Sequence, residues 1–111
     1  MGLSIEEEIN RICELTLKQS KLDKSDEGYM APIDKSILDR VLRSIGYVRE
    51  KYPDLKELKK PTSIASDCEG GVDIQFGRNQ ILLNVSGDEK EICSYGGKIN
   101  GKDYMGEFLL N

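Results

Sequence analysis

Seven consecutive residues, Asp67, Cys68, Glu69, Gly70, Gly71, Val72 and Asp73, hold three carboxylates and a thiol, the densest collection of reactive groups in the chain. Hard cations take carboxylate oxygens, but this spacing lacks the ligand pattern and closing bidentate glutamate of an EF-hand loop. The expected arrangement is a wide turn in which the glycines adopt positive φ and the acids face water, so no metal is assigned. Asp73 with Asp67 or Glu69 is the one carboxylate pair to nominate for acid–base hydrolysis. A chain of 111 residues with five Tyr, two Phe and no Trp offers little to line a sugar cleft. Cys68 sits between acids, which raise a thiol pKa, and no histidine exists to act as its base. No catalytic residue and no cofactor is therefore assigned.

The absence of histidine also excludes His-based triads, His-ligated zinc and histidine pH switches within the chain. Cys13, Cys68 and Cys93 are odd in number and lack CxxC spacing, so they make no disulfide framework, and buried or half-buried positions are expected for them. Met1 to Arg11 carries three consecutive glutamates in place of the basic start and apolar run of a secretory signal. Apolar runs are too short to cross a bilayer, so the expected location is the cytoplasm, with reduced thiols. The glycines at 70–71, 96–97, 101 and 106 match no phosphate-cradling pattern.

Binding is the remaining class. The formal charge of −4 divides into −3 over residues 1–27, +3 over 28–60 and −4 over 61–111. The basic middle holds Lys35, Arg40, Arg43, Arg49, Lys51, Lys56, Lys59 and Lys60. Arg40, Arg43 and Tyr47 are expected on the solvent side of a helix, which makes a nucleic-acid-binding regulator the alternative reading. Asp39, Glu50 and Glu57 interrupt that patch, and overall acidity opposes approach to phosphate. Protein recognition is preferred. The outer face of a sheet carrying Asp73, Gln75, Leu82 and Asn84, with Tyr95 and Tyr104, combines acids with amphipathic rings and suits a basic partner. An exposed last strand would also be able to pair with a partner or with itself.

These residues need elements to position them. Ser4 and Glu7 form a capping box, and Ile5, Ile9, Ile12, Cys13 and Thr16 make one helical stripe, predicting a helix over about 5–18. Asp34 as N-cap, with Ile33 and Leu38 as a hydrophobic staple, opens a second helix over about 35–51 whose stripe is Ile37, Leu38, Val41, Leu42, Ile45, Val48 and Tyr52. Gly46 inside it predicts a bend or a close neighbour. A short turn is expected from Asp54 to Lys60.

From Thr62 the period becomes two: Val72, Ile74 and Phe76 alternate with Asp73 and Gln75, and Ile81, Leu83 and Val85 alternate with Leu82 and Asn84. Gly77, Arg78 and Asn79 join these strands, Gly87 to Lys90 form the next turn into Ile92–Tyr95, and Asn100-Gly101 is a two-residue hairpin signal before a closing strand over 104–110. The expected fold is α+β: two N-terminal helices packed on an antiparallel four- to five-stranded meander spanning about 62–110, in a single domain.

Gly28-Tyr29-Met30-Ala31-Pro32, the following helix, Pro61, Ile64, Asp67, Gly70-Gly71 and the strand Val72–Phe76 together resemble a group of small uncharacterised prokaryotic proteins. That group carries a G-[YF]-x-A-P segment before a helix, then a proline-led strand, an acidic turn and a Gly-Gly-[IV] step into a strand ending in an aromatic residue. The similarity covers about residues 28–86 and departs at Phe76, where tryptophan is more usual. The resemblance implies no assigned activity. Some members look like partners of neighbouring toxin or defence genes, which implies an inhibitor, antitoxin or immunity-like role. A small carboxylate-dependent enzyme using Asp73 is the third reading.

Overall fold

The computed structural model describes residues 4–59, 61–78, 80–88 and 90–110. Lys60 of the basic group, Asn79 of the first hairpin loop and Glu89 of the next turn lie outside the described residues. Helix α1 spans Ile5–Gln19 and begins as its sequence requires. The Ser4 hydroxyl accepts from the Glu7 N–H at 3.1 Å, and the Glu7 carboxylate accepts from the Ser4 N–H at 3.4 Å. Ile9, Ile12, Cys13 and Thr16 are buried along one stripe.

Helix α2 spans Ile37–Lys51, starting two residues later than the Asp34 cap predicts. The Asp34 carboxylate instead accepts from the Ser36 N–H at 2.8 Å, and its carbonyl accepts from the Ile37 N–H at 3.0 Å. A short Asp side chain readily closes such a local turn, which uses up residues 35 and 36 before the helix begins. The hydrogen bonds from Ser36 hold the Asp34 carboxyl below the usual carboxylate range. Ile37, Val41, Ile45 and Val48 are buried, whereas Leu42, assigned to the same stripe, is 50% exposed. The chain leaves α2 at Tyr52, immediately before Pro53, and a 3₁₀ turn follows at Lys56–Lys59.

Five strands follow: β1 Pro61–Ser66, β2 Val72–Phe76, β3 Ile81–Val85, β4 Cys93–Ile99 and β5 Lys102–Phe108. They form one antiparallel sheet in sequential order. Val72 lies opposite Val85, Ile74 opposite Leu83 and Phe76 opposite Ile81, all buried. Both helices cover this face, α1 against β1 and α2 against β3. Asn100 and Gly101 have φ of 52° and 81°, the paired left-handed conformation of a two-residue hairpin. That turn sets Ile99 opposite Lys102, so β4 runs on to Ile99 and β5 begins at residue 102 and not 104.

A Cβ built on Gly46 meets nothing within 4 Å, so no close neighbour requires this glycine. Gly46→Ala should therefore raise the unfolding free energy by about 1 kcal/mol, measured by urea denaturation, through helix propensity alone.

Candidate functional site

Because both helices lie on one side, the other side of the sheet is open. Two cross-strand rows cross it. One runs Ala65, Asp73, Asn84, Ser94, Glu107, and the other Ser63, Gln75, Leu82, Gly96, Met105. Asp73, Gln75, Leu82 and Asn84 therefore share this face, as the alternation of β2 and β3 predicts. Leu82 is 42% exposed and Met105 74% exposed, and only Gly96 separates them across β4. An apolar centre thus lies beside a row bearing the carboxylates of Asp73 and Glu107.

Tyr95 and Tyr104 are on the opposite, helix-covered face, which corrects their expected placement. Tyr95 pairs with Leu83 and is 5% exposed, and its hydroxyl lies 3.0 Å from that of Tyr52. The half-buried Tyr104 meets the Tyr52 ring edge-on at 5.0 Å. The β3–β4 register decides the side, since a shift of one residue would turn every side chain of β4 over. Gly106, opposite Tyr95, makes the placement feasible: a Cβ there would stand 2.6 Å from the tyrosine hydroxyl. Gly96 and Met105 escaped the sequence reading. Their signal was the start of β5 immediately after Asn100-Gly101, which fixes the parity of the last two strands.

The acidic turn is a hydrogen-bonded clamp. One Asp67 oxygen accepts from the N–H groups of Glu69 at 2.8 Å and Gly71 at 2.9 Å, and the other accepts from the Asn84 amide at 3.0 Å. The same amide nitrogen donates to Asp73 at 3.0 Å. The acids Asp67 and Asp73 are therefore used within the turn instead of simply facing water. Among the described residues no cluster of three or more metal-capable side chains forms. Positive φ falls on Cys68 and Gly70 and not on Gly71. A groove of about 540 Å³ runs nearby between Pro32, Glu69, Gly70 and Asp88, but neither Asp67 nor Asp73 lines it. Asp67 and Asp73 are thus bridged by an amide instead of flanking a cleft, and of the nominated acids Glu69 alone lines the groove.

The second helix does not present the basic face expected of it. Arg40 is 4% exposed, and its guanidinium donates to the Ser86 carbonyl at 3.1 and 2.8 Å and to the Asp88 carbonyl at 2.9 Å. Its position, three residues after Ile37 and four before Ser44, lies inside the buried arc of α2. Arg49 donates to the Leu58 and Lys59 carbonyls and secures the 3₁₀ turn. Arg43 is exposed and pairs with Asp39 at 3.2 Å. Tyr47 is partly exposed and stacks on Phe108 with ring centroids 4.1 Å apart.

No protein family, curated protein or solved structure compared with the chain matches it. The open sheet face is accordingly judged on its own geometry. Among the described residues, no helix is long and apolar enough to cross a membrane.

Two measurements check this assignment of roles. Arg40→Ala strips the donors from two carbonyls and should cost about 3 kcal/mol of stability, whereas Arg43→Ala should change it by less than about 0.5 kcal/mol. Cys68 is exposed while Cys13 and Cys93 are buried, and burial pushes the Cys13 thiol up. A thiol reagent should therefore label Cys68 rapidly in the native protein and all three cysteines only after denaturation.

Proposed function

We propose that this chain is a small acidic protein-binding module that engages a basic partner protein through its open sheet face, without a cofactor and without catalysis of its own. In this reading it works in the reducing cytoplasm as an inhibitor, or as an antitoxin- or immunity-like partner. The observation that carries the reading is the pairing of exposed Leu82 and Met105 across Gly96, next to the carboxylates of Asp73 and Glu107. An apolar centre with charge beside it is the anatomy of a recognition surface, and the acids speed encounter with a basic partner. The buried Arg40 and the paired Arg43 disfavour nucleic acid, because α2 then lacks the array of free cations that phosphate binding needs.

The test uses native-lysate capture with the wild-type chain and with Leu82→Lys and Asp73→Lys as baits, followed by titration of the purified partner. A specific basic protein should be retained by the wild type, and each variant should bind it about tenfold more weakly or worse while keeping its far-ultraviolet circular dichroism. Equal binding by wild type and both folded variants would sink the proposal.

A further inference from the structure

The two edges of the sheet are not equivalent. The β1 edge begins at Pro61, which has no N–H to offer, and its pairing with β2 is irregular between Pro61 and Ser63. The β5 edge is seven residues long, carries neither proline nor bulge, and among the described residues pairs only with β4. The direction of its free groups follows from the ladder. The Lys98 N–H donates to Gln80 at 2.9 Å, away from β5, and Lys98 lies opposite Asp103. The backbone groups of Asp103, Met105 and Glu107 therefore point outward from the sheet.

We infer that β5 pairs antiparallel with β5 of a second copy of this chain, about a two-fold axis at Gly106, giving one continuous sheet across both copies. An isologous pairing that sets outward groups opposite one another has its axis at one of the residues from Asp103 to Glu107, and an axis at Asp103 or at Glu107 sets that carboxylate opposite its own copy, which leaves Tyr104, Met105 and Gly106. The axis at Met105 places Asp103 opposite the partner copy's Glu107 twice, a like-charge opposition that destabilises strand pairs. The axis at Tyr104 puts Lys102 and Asp103 of both copies into the paired stretch, where charge, lysine above all, discourages edge pairing.

The axis at Gly106 leaves those two charges at the ends. It sets Met105 opposite Glu107 and Tyr104 opposite Phe108 across the copies, an aromatic cross-strand pair. Exposed apolar surface gathers at the same end of β5. Met105 and Leu109 are exposed, Tyr47 is partly exposed on Phe108, and a hollow of about 340 Å³ is lined by Tyr47, Leu109 and Leu110 together with Arg43, Gly46 and Glu50. Self-pairing would join the two open faces side by side. It does not depend on recognition through Leu82.

The experiment is sedimentation equilibrium of the full chain from micromolar to millimolar concentration. The wild type should approach twice 12.5 kDa. Met105→Pro removes an outward N–H without touching a β4 bond, and Met105→Glu sets a carboxylate opposite Glu107 of the other copy twice, a like-charge opposition. Each should weaken association at least tenfold with circular dichroism unchanged, and Met105→Glu carries the test alone if the proline variant unfolds. A double Met105→Cys, Glu107→Cys variant in a Cys68→Ser background should form intermolecular disulfides under mild oxidation. A wild type that stays monomeric at millimolar concentration, a folded Met105 variant with undiminished association, or a dimer that fails to crosslink would overturn the inference.

Discussion

A five-stranded sheet has two faces, and among the described residues the chain supplies two α-helices, both before the strands and both on the same side. One-sided cover is the constraint from which the other features follow. Val72, Ile74, Phe76, Ile81, Leu83 and Val85 meet Ile9, Ile12, Val41, Ile45 and Val48 in a single aliphatic layer. The strands β2 and β3 accordingly alternate between buried and more exposed residues, and the face turned away from the helices is left to solvent or to a partner. Meander connectivity is consistent with this, since short hairpins join neighbouring antiparallel strands without any crossover helix.

Within that frame, polar side chains tie the turns to the layer. Thr16 in α1 accepts from the Ile33 N–H at 3.1 Å and so fixes the segment leading to α2. Arg40 reaches from α2 to the carbonyls of the β3–β4 turn, Arg49 holds the 3₁₀ turn, and Asp67 closes the turn between β1 and β2. Buried or half-buried polar groups must be hydrogen-bonded, and each of these contacts meets the need of backbone groups that no strand or helix satisfies. The residues that looked most chemically able in the sequence, the acidic turn and the basic helix, are thereby largely occupied with holding the fold.

What is left for function is the surface that the fold does not use. The open face offers Leu82, Gly96 and Met105 flanked by Asp73 and Glu107, and the β5 edge offers backbone groups that lack a neighbouring strand. Both features suit association, one through side chains and the other through the backbone. They meet at Met105, whose side chain belongs to the face and whose peptide groups belong to the edge.

The sequence by itself determined the two helices within a turn at their ends, the two strands Val72–Phe76 and Ile81–Val85, and the sharpest turn. Capping by Ser4 and Glu7, stripes repeating every three or four residues, alternation every second residue, and the left-handed preference of Asn100-Gly101 are all set by neighbours a few residues away. It also placed Asp73, Gln75, Leu82 and Asn84 on one face, because these residues alternate with the apolar residues of β2 and β3. The sides taken by Tyr95, Tyr104 and Arg40 were decided only by the tertiary structure. Tyr95 follows the register of β4 on β3, Tyr104 follows β5 on β4, and Arg40 follows a carbonyl 46 residues along the chain. Such choices depend on partners that the local period does not name. A side chain's face is therefore legible in the sequence where its own strand alternates clearly, and is otherwise settled when distant segments pack.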